Sequence, residues 1–181
     1  MKGVVFVELI RMAETAMGED AVDDILDNLN LGNDGAFSTV GNYPCSELIK
    51  MVEAFGAHLD APVEDLQTQF GNWMFSRFVE GYPAFFVDKH DGFDMLESIE
   101  NEVHVEVRKL YPEVELPTFA TERPAGGRFT MVYASERPLQ HFCRGMVEAC
   151  MNHYGHDYTL DMRETRKDGE FRAEFHLQKV A

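Results

Sequence analysis

Basic residues are scarce in this chain. There are 16 Lys and Arg against 32 Asp and Glu, a formal net charge of −16. Such an excess repels nucleic-acid backbones and anionic membrane surfaces. No run of Lys or Arg exists from which a local basic patch could be built. Nucleic acid and membrane are therefore excluded as partners, and an acidic surface suits docking on a basic protein. Cysteine is scarce too. Cys45, Cys143 and Cys150 have no paired spacing, so a disulfide framework is excluded. If Cys143 and Cys150 share a helix, they stand about 10 Å apart along it, too far for a bridge. Long hydrophobic runs are missing as well. Glu8 and Arg11 interrupt the apolar N-terminal stretch, no signal-peptide cleavage region follows it, and nothing approaches a membrane span. The expectation is a reduced, cytoplasmic protein with no internal repeat and no low-complexity segment.

What is present is enough for one good-sized domain. The chain has 181 residues, 45% hydrophobic and 12% aromatic, a globular composition able to bury a core. Fourteen Phe and ten Met stand out. Met adapts to irregular shapes, which suits either a pocket around a flat ligand or ordinary core filling. Residues 4–17 read as a helix with Glu8, Arg11 and Glu14 on its polar remainder; a short strand over Val4–Val7 is the alternative. A second helix spans Ala21 to Leu29, and residues 31–43 read as a loop rich in Gly, Asn, Ser and Thr. Pro44 and Pro62 stand at the starts of two further helices. Phe93, Leu96, Ile99, Val103, Val107 and Leu110 recur at helical spacing, one stripe on one helix that ends at Tyr111–Pro112. Beyond Pro117, RFTMVYA (128–134) alternates as a strand. Residues 139–154 are helical. Residues 158–165 and 170–180 alternate around Asp168–Gly169, a strong hairpin signal. The fold class is α+β: a helical N-terminal half and a C-terminal antiparallel sheet of about four strands with one long helix. The whole chain, 1–181, reads as a single domain, with a helical subdomain over 1–62 and a second over 63–181.

Two stretches carry chemistry. In NEVHVEVRKLYP (101–112), His104 falls at the edge of the apolar stripe, almost in line with Phe93. An imidazole there is a packed histidine, a general base or a metal ligand. In Tyr133–Ala134–Ser135–Glu136–Arg137, spacing of two places Tyr133, Ser135 and Arg137 on one face while the strand lasts. A phenol, a hydroxyl and a guanidinium in a row suit carboxylates or phosphates, or they are a strand end facing water. Together the two stretches ask for a ligand that takes a nitrogen donor and offers acidic groups. Haem does both, through its iron and two propionates. An enzyme using His104 as general base on an anionic substrate held by Tyr133 and Arg137 is the rival from another class. No nucleophile or second acid at a fixed spacing supports it.

The MKG start, His104 in HVEVRKLYP, Pro117 in ELPTF and the Tyr133-x-Ser135-x-Arg137 motif resemble the haem nitric oxide/oxygen-binding (H-NOX) family, in its stand-alone bacterial form. The family is related to the sensor domain of soluble guanylate cyclase. The likeness covers essentially the whole chain. It implies haem b buried between the two halves, with His104 as the axial iron ligand. Tyr133, Ser135 and Arg137 would hold the propionates, and Pro117 would press on the porphyrin. The distal pocket would be lined by Val5, Leu9, Met74, Phe78, Phe142 and Met146. Oxygen-binding members carry a tyrosine where Phe142 stands, with helpers where Leu9 and Met74 stand. None of these three can donate a hydrogen bond, and bound O₂ gains more from a donor than NO does. The resemblance thus implies NO, and also CO, over O₂. Trp73, beside Met74, is the neighbouring residue with an N–H to offer. Signalling would run through release of His104 and a shift of the subdomains. The partner would be a separate protein, a histidine kinase or a cyclic-di-nucleotide enzyme, and the chain itself would not be an enzyme. Some relatives carry a C-terminal Cys/His zinc cluster. Here ETRKDGEFRAEFHLQ has only His176, with His153 and His156 expected at the surface, so no zinc is expected.

Overall fold

The computed structural model describes residues 1–155 and 157–180. Three helices open the chain: α1 (Gly3–Met17), α2 (Glu19–Asn28) and α3 (Cys45–Leu59). Gly18 at φ +88° turns α1 directly into α2, a conformation that only glycine adopts freely. Pro44 is the N-cap of α3 and Pro62 the N-cap of α4 (Val63–Gly81). A single 3₁₀ turn at Pro83–Phe85 follows, then α5 (Gly92–Ser98), a π-helical turn at Ile99–Val103 and α6 (His104–Leu110). Strands β1 (Thr118–Glu122) and β2 (Arg128–Ser135) precede α7 (Gln140–His153), and the chain finishes in β3 (Tyr158–Lys167) and β4 (Glu170–Lys179). The α+β fold expected from the sequence is the fold observed.

The four strands form one antiparallel sheet in the order β1–β2–β4–β3. Phe129, Met131 and Tyr133 of β2 stand opposite Leu177, Phe175 and Ala173 of β4, and all six are buried. Such cross-strand apolar pairs set the register, since a one-residue slip would turn each of them outward. Asp168 and Gly169 both take positive φ at the β3–β4 turn, the geometry a two-residue hairpin requires. β1 was not anticipated. Its pattern is half-buried at Phe119 and Thr121 and exposed between.

The core lies in two clusters. The first joins α1, α2, α3 and α4 around Phe6, Leu9, Met51, Phe55, Phe70 and Met74. The second lies between the inward face of the sheet and α5 and α7, around Phe93, Met131, Cys150, Met151 and Phe175. Helices α4 and α7 serve both. Met74 belongs to the first cluster and Phe75 to the second; Phe142 packs on the first and Cys143 is in the second. The two helices touch backbone to backbone. A Cβ on Gly145 would come within 1.9 Å of the Thr68 carbonyl, and one on Gly71 within 2.1 Å of the Phe142 carbonyl. All three cysteines are free thiols, Cys143 and Cys150 buried. No described helix is long and apolar enough to cross a membrane.

Candidate functional site

The site is built on the segment from Asp91 to Leu110. The Asp91 carboxylate starts α5 by accepting the Asp94 N–H at 2.8 Å, a side-chain cap. The same carboxylate meets Arg123 and Lys179, each at 2.7 Å, and Arg123 also reaches Asp94 at 2.6 Å and Glu97 at 3.2 Å. Burial pushes the Asp91 carboxyl up, but the Lys179 and Asp94 N–H hydrogen bonds and the Arg123 charge outweigh it and hold it at about 2. Helix α5 is thereby fastened to the chain just past β1 and to β4.

After Ser98 the helix widens into the π turn, where the His104 N–H reaches back to the Ile99 carbonyl. This corrects the expected single stripe. Phe93 and Leu96 are buried, Ile99, Val103 and Val107 are half-buried, and Leu110 is 69% exposed. An extra residue in one turn rotates everything downstream. His104 is consequently not at the edge of an apolar face. It is 8% exposed and is the one buried residue of α6.

The His104 ring has a defined setting. Its Nδ1 lies 3.1 Å from Glu100 Oε2, one helical step earlier on the same face. Glu100 also accepts from Arg108 Nη2 at 2.8 Å and from the Phe119 N–H at 3.3 Å. Phe119 flanks the imidazole at 5.5 Å between centroids. Burial pushes the His104 pKa below its ordinary value, and Glu100 offsets this only in part. Burial raises the Glu100 carboxyl, but the Arg108 and His104 hydrogen bonds more than compensate and it lies low. A neutral ring that donates its Nδ1–H hydrogen bond to a carboxylate keeps its lone pair on Nε2. Among the described residues, Nε2 has no hydrogen-bond partner. That is the donor chemistry an iron ligand needs.

Phe119 connects this histidine to the second motif. It pairs with Tyr133 across β1 and β2, with ring centroids 5.9 Å apart. Tyr133 is buried, which raises its phenol, and its hydroxyl donates to the Arg137 carbonyl at 3.1 Å. Ser135 Oγ accepts the Arg137 N–H at 3.1 Å. The strand ends at Ser135, so Arg137 joins the row through this hydrogen-bonded turn rather than through strand alternation. Its guanidinium donates to the Glu115 carbonyl at 2.7 Å and to the Glu115 carboxylate. Glu115 is 85% exposed and Arg137 18%, so the anion at this fork is an exchangeable one. Pro117 is half-buried directly before β1.

The expected distal residues come together in part. Leu9 and Met74 are fully buried in the first cluster, and Val5, Phe78 and Phe142 pack against it. Phe142 lies 5.1 Å from Phe70. Met146 is half-buried on α7, where that helix passes Gly71. Glu8 departs from expectation. It is not on a solvated face but 5% exposed, accepting from the Trp73 indole N–H at 3.0 Å and from Arg11 at 2.6 Å. The Trp73 donor is thus already engaged. His153 is exposed, as expected, and His156 lies outside the described residues. His176 sits beside Thr130 and Glu174.

Glu100, Phe119 and Glu8 were not singled out from the sequence. Glu100 was readable, because a glutamate four residues before a histidine faces it on any helix. Phe119 left no local signal, and Glu8 read as part of a solvated face.

The description Haem-NO-binding belongs to the family model that matches residues 2–162. Among solved structures, an Fe(II) unliganded H-NOX protein from K. algicida is 32% identical, with a TM-score of 0.92 over 100% of this chain and 97% of that one. A mutant of the T. Tengcongensis H-NOX is 19% identical, with a TM-score of 0.90 over 100% and 98%. An oxygen-binding H-NOX domain related to soluble guanylate cyclases, in its oxygen complex, is 19% identical, with a TM-score of 0.84 over 100% and 96%. No curated protein matches the chain.

Proposed function

Because the chain belongs to the H-NOX family of haem-based gas-sensor domains, we propose that it senses nitric oxide at a ferrous haem b and passes the signal to a separate protein. The observation that carries this is His104, a buried neutral imidazole whose Nδ1 is held by Glu100 and whose Nε2 lone pair is left for iron. Bound haem supplies a ferrous iron that takes a diatomic gas. Tyr133, Ser135 and Arg137 are assigned to the propionates, with Arg137 exchanging or sharing its Glu115 partner. Pro117 would pack on the porphyrin. Val5, Leu9, Met74, Phe78, Phe142 and Met146 form the gas pocket.

Selectivity follows from the donors. Leu9, Met74 and Phe142 offer none, and the Trp73 N–H is committed to Glu8. A pocket without a donor favours NO and CO over O₂. Signalling is assigned to α6. Its one buried side chain is His104, so a His104 no longer held at iron would leave the helix free to move while α5 stays fastened through Arg123 and Asp91. The bodies that shift are residues 1–62 and 63–181, a two-state element biased by the gas. The reading carries a cytoplasmic protein that is not an enzyme and holds no zinc. Its partner is a histidine kinase or a cyclic-di-nucleotide enzyme.

The test is the ferrous spectrum of purified protein expressed with haem supply. A Soret band that shifts with NO and does not form a stable O₂ complex in air is expected. His104→Ala should lose stable haem unless imidazole is added. Colourless protein, or a variant with normal haem occupancy, overturns the assignment, and a stable O₂ complex makes the domain an oxygen binder instead.

A further inference from the structure

Two side chains meet beside the gas-pocket residues without being among them. Glu8 directly precedes Leu9 on α1 and follows Val5 by three positions, and Trp73 directly precedes Met74 on α4. The indole packs against the same core cluster as Val5, Leu9, Met74 and Phe78. Its N–H donates to Glu8 Oε2 at 3.0 Å, across 65 positions of the chain.

Glu8 is 5% exposed, the one buried carboxylate among the described residues. Burying a carboxylate is costly unless it is paired and hydrogen-bonded. Arg11 balances the charge, 2.6 Å from Oε1 and itself 59% exposed. The other oxygen is left for the indole. The Arg77 guanidinium lies over the Trp73 ring, 5.3 Å from its centroid, so the ring is held at its face as well as at its N–H. An apolar residue at position 8 would pack at lower cost. What the carboxylate adds is an acceptor for one donor, and that donor stands beside the gas pocket. Bound O₂ gains from a donor and NO much less. While Glu8 is present the N–H is taken. Without it a half-buried indole N–H is unsatisfied and turns to the next acceptor, which on the apolar side is the bound gas.

Building on the assignment of this pocket to a haem-bound gas, we propose that Glu8 sets the gas selectivity of the domain, as a positioning residue that keeps the Trp73 N–H from the ligand. A purely structural Glu8 would tie α1 to α4 and leave the gas alone.

The ferrous protein with haem bound separates the two. Glu8→Leu is expected to slow O₂ dissociation, read by flash photolysis, about tenfold, the factor for one hydrogen bond in a dry site. It is also expected to lower the C–O stretching frequency of the carbonyl complex, which a donor at the gas shifts and a loss of stability does not. Glu8→Met repeats the test with an unbranched side chain. Glu8→Gln keeps an acceptor and should keep both wild-type values. Adding Trp73→Phe to Glu8→Leu should restore both. Wild-type O₂ kinetics and carbonyl band in Glu8→Leu and Glu8→Met overturn the proposal. So does a double variant that keeps the change, because the donor is then not Trp73. Wild-type protein that binds no haem removes the sensor reading and this inference together. A haem-bearing wild type with unresponsive Glu8 variants removes this inference alone.

Discussion

Replacing Glu100 by Ala should loosen the histidine before it touches anything else. Three donors lose their acceptor: His104 Nδ1 at 3.1 Å, Arg108 Nη2 at 2.8 Å and the Phe119 N–H at 3.3 Å. The first is the costly one, since a buried donor left unpaired loses about 1–3 kcal/mol. Arg108 is 43% exposed and finds water, so its pair contributes at most about 1 kcal/mol. A total of about 3 kcal/mol lowers Tm by about 9 °C in a domain of this size. The ligand suffers separately. Removing the carboxylate behind a metal-binding imidazole typically weakens metal affinity about 10- to 100-fold. Scanning calorimetry reads the first effect, and the rate of haem transfer to apomyoglobin reads the second. Glu106→Ala is the control, because its partner Lys109 is 64% exposed and the pair is worth close to nothing. If Glu100→Ala melts with the wild type and releases haem at the same rate, the carboxylate is incidental and the proposed iron ligand loses its support.

Two other substitutions probe the frame around the site. Gly145→Ala places a methyl within 1.9 Å of the Thr68 carbonyl; backbone cannot yield as a side chain does, so a loss of about 3 kcal/mol is expected by denaturant titration. Asp91→Asn should flatten the acid limb of the stability curve. Asp91 titrates at about 2 when folded against 3.8 ordinarily, so its contribution of about 2 kcal/mol is present above about pH 4 and is lost as pH falls through about 2. Chemical denaturation of wild type and variant across that window measures the difference, and parallel curves would refute the assignment.

Much of the architecture was legible because periodicity reports burial. The helices α1 to α4 and α7 and the strands β2 to β4 follow from it, as does the turn at Asp168–Gly169. β1 was not legible. Thr118–Glu122 buries little of its own surface, and it is a strand because β2 lies beside it. The π turn escaped for a related reason. Stepping 100° per residue assumes that every turn is the same, and a widened turn changes the phase without changing the composition. The site showed the same division. The sequence pointed to His104 and the Tyr133–Arg137 motif as residue types, but their partners Glu115, 22 positions from Arg137, and Phe119, 15 positions from His104 and 14 from Tyr133, come from elsewhere in the chain. Glu8 misled because an acid on a mostly apolar helix reads as the solvated side, whereas here it meets the Trp73 indole from α4.

The π turn at Ile99–Val103 also sets a rule for spacing. It works as a one-residue insertion held inside a helix, and the bearing of the histidine depends on it. Side-chain changes at positions other than Glu100 can leave that bearing intact, whereas a turn that tightened to ordinary α geometry with its length kept would not. The imidazole would then swing by about 100°, away from Phe119. Lineages of this segment should therefore keep the widened turn and its glutamate together, while the other four side chains drift.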